Sequence, residues 1–263
     1  MSTKNLKLTA SDIDWSKIKV YDQKIAGLIL GDTHIIKEYD VPQELHQLHG
    51  INVYKGFIVK KNGQEFLIPV TSEFPAGPAF KMVNTYSQLV EDQYEKPIMI
   101  KKSVADDIFL NKTEVQIFLG EGEAGIVFMI EDKEEKYYII SNCDNKIEIE
   151  RADFFSNRNI YNNALKSKLD AYIQKQLNDP TESNTKRFTL ADAVYNKCVE
   201  KQDEDPTLNI GIACYPAIHM ASDVYKYRLT FIMILGKYNG TDFTPFDDVG
   251  VYDRNGLCPP GNC

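Results

Sequence analysis

The sequence predicts an α+β fold: largely antiparallel sheet with one long amphipathic helix and several short helices. Three observations lead there. Tyr and Phe are abundant, at 15 and 13 of 263 residues, and aromatic side chains favour strands. Between residues 113 and 150, strand-sized apolar runs are joined by short polar links, which calls for antiparallel pairing. Between 157 and 177, apolar residues recur at helical spacing.

Taken in order, Ser11-Asp-Ile-Asp-Trp15 reads as the start of a short helix, with Ser11 as N-cap and acids in the first turn. The apolar run Ile25–Leu30 fits strand or helix, and His34-Ile-Ile36 reads as extended. Asp40 stands three residues before Gln43, with Pro42 between them, as in a capping box with proline in the first turn. A short helix is therefore expected through Glu44, Leu45 and Leu48, stopping at Gly50. Residues 51–59 read as a strand that turns at Asn62-Gly63 onto residues 64–70, because both turn residues tolerate positive φ. Pro69 has no N–H for a ladder, so the second strand should be an edge or end there. A loop over 72–79 precedes a helix from Phe80 to Tyr94, striped by Met82, Val83, Tyr86, Leu89 and Val90. Ser103-Val-Ala-Asp106 opens another short helix.

The meander comprises strands at 113–119, 126–130, 136–141 and 146–150, with turns at 120–125, 131–135 and 142–145. The charged run Glu131–Glu135 is a solvated hairpin tip. In the long helix, Asn157 to Leu177, the apolar stripe is Tyr161, Leu165, Leu169, Tyr172, Ile173 and Leu177, and Asp179-Pro180 ends it. The polar stretch 181–187 reads as mobile. Thr189-Leu-Ala-Asp192 reads as the cap of a helix reaching Lys201, followed by an acidic link over 202–206. Strands at 207–215 and 224–235 follow, and Asn239-Gly240 marks a turn before an Asp-rich tail. The order helix, strand, strand recurs around 40–70 and 189–235, but the poor residue match weighs against duplication. A single α+β domain over 1–263 is expected, with two lobes dividing near 150 or within 178–187 as the alternative.

Hydrophobic residues make up 43% and charged residues 26%, ordinary for a soluble globular chain. A net charge of −8 and a pI near 5.1 argue against binding to nucleic acid or anionic membrane. Basic clusters along the chain are only pairs: Lys60-Lys61, Lys101-Lys102 and Lys186-Arg187. The first fifteen residues lack a signal-peptide core, and no stretch approaches the roughly 20 apolar residues of a membrane helix. Cytoplasm is the expected location.

Five cysteines, an odd number in a cytoplasmic chain, argue against a disulfide framework. Cys143, Cys198 and Cys214 sit in or beside apolar segments and read as buried structural thiols. The terminal Cys258-Pro-Pro-Gly-Asn-Cys263 places two thiols around a stiff Pro-Pro step. The candidate metal ligands are Cys258 with Cys263, Cys214 with His219, and His46 with His49, none in a strong zinc spacing. The two histidines are also explained by a helix C-terminus, where cations are favoured. Cys214 and His219 are the one close Cys/His pair for nucleophilic chemistry, without a motif around them. Gly120-Glu-Gly-Glu-Ala-Gly125 has dinucleotide-loop spacing, but its glutamates would repel a pyrophosphate and it joins two strands, so it reads as a hairpin loop. Asp247, Asp248 and Asp253 lack the spacing of a calcium loop.

No catalytic residue and no cofactor is expected. The leading expectation is a non-enzymatic structural or protein-interaction component that self-associates or binds a protein partner, with no nucleic acid and no membrane. Leu257, Cys258, Pro259, Pro260 and Cys263 are its expected contact residues. The alternatives are an enzyme whose Cys/His or acidic site assembles only in three dimensions, and a metal- or redox-responsive module using the terminal thiols.

Overall fold

The computed structural model describes residues 19–20, 38–41, 43, 47–48, 51–52, 55–61 and 64–69; from 76 onward it describes all but 91–93, 95–96, 110–111, 113, 123–124, 142–144, 221–224, 241, 247–254 and 259–263. Two compact units divide the chain, Met1–Lys81 and Met82–Cys263. Positions 150 and 178–187 both fall within the second.

In the first unit the strands are β1 (Lys19–Val20), β2 (Glu38–Asp40), β3 (Gln47–Leu48), β4 (Ile51–Asn52), β5 (Lys55–Lys61) and β6 (Gln64–Pro69). The expected hairpin is present: β5 and β6 pair antiparallel from Gly56↔Pro69 to Lys61↔Gln64, leaving Asn62-Gly63 as the two-residue connection. β6 ends at Pro69, but it is not an edge, since β1 pairs with it in parallel at Phe66 and Leu67. The helix expected through Leu48 is corrected, because Gln47 and Leu48 pair antiparallel with Asn52 and Ile51. A glycine two residues after Leu48 suits a tight hairpin link as well as a helix C-terminus. The readings at 11–15, 25–30 and 34–36 lie outside the described residues.

Helix α1 (Ala76–Ser87) crosses the boundary between the units, starting inside the expected loop and stopping well short of Tyr94. Pro78 falls in its first turn, where no intrahelical N–H bond is lost.

The second unit contains β7 (Ile98–Lys101), α2 (Lys102–Phe109), β8 (Glu114–Gly122), β9 (Gly125–Glu131), β10 (Tyr137–Ser141), β11 (Asn145–Ile149), α3 (Arg151–Asn163), α4 (Leu165–Leu177), β12 (Arg187–Ala191), α5 (Ala193–Glu204), β13 (Ile210–Ile218), β14 (Leu229–Tyr238), β15 (Phe243–Pro245) and β16 (Asn255–Cys258). It has two antiparallel sheets, ordered β11-β10-β9-β8-β12-β16 and β15-β14-β13-β7. Strand alternation sends Val115, Ile117, Leu119, Phe128, Ile130 and Phe188 to one face of the larger sheet. There they share a core with Ile212, Cys214, Phe231, Met233 and Leu235 of the smaller sheet. Phe128, Phe188 and Phe231 meet at its centre, with ring centroids 4.8–5.2 Å apart.

The expected long helix is present but bent: α3 and α4 meet at Ala164, whose φ of −103° and ψ of −93° leave helical geometry. Ser167 Oγ donates to Asn162 O at 3.0 Å, a side-chain bond inserted into the backbone ladder at the bend. Tyr161, Leu165, Leu169 and Ile173 are buried as the stripe requires, and Tyr172 is half-buried. Leu177 is corrected to the surface, at 40% exposure. Each four-residue step overshoots a full turn by about 40°, so three steps from Leu165 carry the side chain off the buried face. Asn178, in the left-handed region at φ 53°, terminates α4.

Two further expectations are corrected. The helix expected after Thr189–Asp192 is present as α5, with Asp192 at its N-cap, but Thr189 is not part of the cap: residues 187–191 form β12, with Phe188 and Leu190 alternating into the core. The 181–187 stretch is held by a dense polar network. Asn184 and Thr185 are wholly buried. Asn184 Oδ1 accepts from the N–H of Leu229 at 2.6 Å and of Thr185 at 2.9 Å, while its Nδ2 donates to Leu169 O and Tyr227 O. Thr185 Oγ1 donates to Leu229 O, and Tyr161 Oη donates to Thr185 O. Lys166 donates to Asp170 and Ser183, each at 2.6 Å, and Arg228 pairs with Glu182. This seam fastens the bent helix to the start of β14. Among the described residues, no helix is long and apolar enough to cross a membrane.

Candidate interaction surface

The two faces of the six-stranded sheet differ. Its inner face is buried in the core just described. Its outer face carries Phe118, Val127, Met129 and Tyr137, with Phe154 of α3 packed against them. α3 covers this face only in part. Ile139 and Ile149 remain half-buried there, and Ile147, opposite Ile139 in the β10–β11 register, is 48% exposed. Phe155 is 39% exposed, although its ring lies 5.5 Å from Phe154 and 6.2 Å from Tyr137.

Three of the chain's five arginines gather at this aromatic cluster. Arg151 and Arg158, on one flank of α3, lie two turns apart. The Arg158 guanidinium is 4.6 Å from the Phe118 centroid, 5.5 Å from Phe154 and 5.6 Å from Phe155. Arg151 lies 5.6 Å from Phe155, and Arg187, directly opposite Phe118 in the β8–β12 ladder, lies 5.9 Å from the same Phe118 ring. Arg187 Nη1 also donates to Gln116 Oε1 at 3.3 Å. Among the described residues, none of the three is ion-paired. Glu131 is the nearest acid to enter the balance, and its carboxylate accepts from Tyr137 Oη at 3.4 Å instead. Burial pulls the Arg158 guanidinium below its ordinary value, with Glu131 opposing and Arg187 adding to the shift. Arginine is favoured beside aromatic faces, and its planar fork matches the geometry of planar anions.

The terminal strand reaches the same region. β16 pairs antiparallel with β12, Leu257 opposite Phe188 and Cys258 opposite Arg187, so it forms one edge of the sheet. Pro259, Pro260 and Cys263 lie outside the described residues, as do His46, His49 and Cys143.

Cys214 and His219 are not brought together. β13 is extended, and His219 continues its ladder by bonding through N–H and C=O to Arg228 and Tyr227. Five residues at about 3.3 Å each separate the two by roughly 16 Å, and the odd spacing puts them on opposite faces. The Cys214 thiol is wholly buried, and burial raises its pKa; burial likewise pushes Cys198 up to about 12. Neither is poised as a thiolate. Among the described residues, no three His, Cys, Asp or Glu side chains converge as a metal site.

A cleft of about 610 Å³ opens where α2, the α5–β13 link and the end of β14 meet. Its polar wall is engaged internally: Lys102 pairs with Asp106 at 2.8 Å, and Gln202 Nε2 donates to Pro206 O and Leu208 O. Tyr238 Oη donates to Gly240 O. These bonds tie the connecting segments together.

No protein family, curated protein or solved structure matches this chain.

Proposed function

We propose that this protein is a non-enzymatic interaction component of the cytoplasm, binding a protein partner or a second copy of itself through the outer face and terminal edge of its six-stranded sheet. The observation that carries this reading is the cluster of three guanidiniums, without ion-pair partners among the described residues, lying over aromatic rings beside the exposed Phe155. Aromatic and arginine side chains are the types that anchor protein interfaces. The sheet's terminal edge adds the second element, since β16 carries Leu257 and Cys258 into the ladder beside Arg187. The acidic net charge fits this reading better than binding to nucleic acid or anionic lipid.

The test is sedimentation velocity across a concentration series, with quantitative affinity capture, on the wild-type chain and on Phe155→Ser/Ile147→Ser. Loss of assembly, or of specific captured proteins, with an unchanged melting curve supports the reading. Identical assembly and capture in the two proteins refutes it.

A further inference from the structure

Arg158 and Arg187 come from different elements, α3 and β12, yet their guanidiniums lie 4.6 and 5.9 Å from the centroid of the single Phe118 ring. Like charges so placed repel unless an anion lies between them, and among the described residues neither has an ion-paired carboxylate. The chain has ample acid, 38 Asp and Glu against 30 Lys and Arg, yet Glu131 is the acid that enters the electrostatic balance of Arg158, and it does so without an ion pair among the described residues. Contact with the ring restrains each arginine side chain, which reduces the rotamer freedom lost when an anion is gripped. Beside the pair, Phe155 offers a half-exposed apolar shelf over buried Phe154 and Tyr137, and the half-buried Ile139 and exposed Ile147 lie farther across the same face.

We propose that Arg158 and Arg187 form a carboxylate clamp, and that the partner of this face is an acidic protein segment with aliphatic residues among its Asp or Glu side chains. Carboxylates enter edge-on between the two forks, each accepting paired N–H bonds, while the aliphatic neighbours rest on Phe155. This rests on reading the outer face as a protein-binding surface. An apolar shelf adjoining the clamp favours a peptide over a bare polyanion, which would leave that shelf wet.

The experiment is fluorescence anisotropy with the full chain and short labelled peptides of alternating Glu and Leu, their Gln-for-Glu counterparts, and a phosphoserine version. The Glu peptide should bind, the Gln peptide should not, and affinity should fall as salt rises. Arg158→Gln or Arg187→Gln should weaken binding by about tenfold or more, and Arg187→Lys should also weaken it, because charge survives but the planar fork is lost. Lys237→Gln, an exposed position on β14 of the other sheet, should leave it unchanged. Melting curves for each variant separate lost binding from lost folding. Equal binding of Glu and Gln peptides, no binding of the Glu peptide, or binding of the phosphoserine peptide alone overturns the clamp. If the clamp fails while Phe155→Ser/Ile147→Ser still abolishes assembly or capture, the interaction surface stands with a different partner chemistry. If both fail, the surface reading falls with it.

Discussion

Replacing Asn184 with alanine should be among the most destabilising single changes in the second unit. Its side chain makes four hydrogen bonds from a fully buried position, two accepted by Oδ1 and two donated by Nδ2. Truncation leaves the N–H groups of Thr185 and Leu229 without that acceptor. Each buried group left unsatisfied costs about 1–3 kcal/mol, so the two together cost about 2–6 kcal/mol. A water entering the vacated space would return part of that, which sets the expected loss near 3–4 kcal/mol. Against a total stability of about 5–15 kcal/mol, this is a large fraction. The assay is urea denaturation followed by circular dichroism, comparing midpoints at constant slope. Thr185→Val is the graded companion: it removes one hydroxyl donor to Leu229 O in nearly the same volume and should cost about 1–2 kcal/mol. A loss below about 1 kcal/mol for Asn184→Ala would mean that the seam does not hold the helix, and that residues 181–187 are loosely attached after all.

Leu169→Ala should cost about 2–5 kcal/mol in the same assay, whereas Leu177→Ala, on the exposed turn of the same helix, should change the midpoint little. Stability should also decline in alkali. The folded-state thiol of Cys198 is raised from 9.0 to about 12, and that of Cys214 is raised as well, so the unfolded chain releases these protons first as pH rises. Their contribution is complete below pH 9 and falls above it by about 1.4 kcal/mol per pH unit for each thiol. Cys198→Ala should flatten that slope, and an unchanged slope would place the titration elsewhere. Deleting residues 257–263 removes the end of β16 opposite Phe188 and Arg187. The core should remain folded by circular dichroism while assembly or partner capture changes. No change in either would remove the terminal segment from the interface.

What could be read from the sequence was local in origin. Asn62-Gly63 dictates a two-residue connection from its own backbone preferences, and the β5–β6 ladder follows. The stripe from Tyr161 to Ile173 is a periodic signal within one helix. Errors arose where a short pattern had two physical meanings. Thr189-Leu-Ala-Asp192 holds the N-cap residue Asp192, but Phe188 and Leu190 also alternate at strand spacing, and pairing with β8 makes Thr189 part of a strand. Gly50 suits a helix end or a hairpin. The polar stretch 181–187 looked solvated because its partners lie far off in sequence: Thr185 reaches Leu229, and Arg228 reaches Glu182. The candidate surface was missed for the same reason, since Phe118, Arg158 and Arg187 meet only when β8, α3 and β12 are packed. One faint signal was available: three of the five arginines lie between 151 and 187 in a chain otherwise supplied with lysine.

The central claim is that the arginine-and-phenylalanine face binds protein. The most direct measurement is quantitative affinity capture with the full chain and with Arg158→Gln/Phe155→Ser, after verifying equal melting curves. The account predicts that one or more specific proteins, including a tagged second copy where self-association operates, are retained by the wild type and lost with the variant. Retention of the same proteins in the same amounts by both would contradict it.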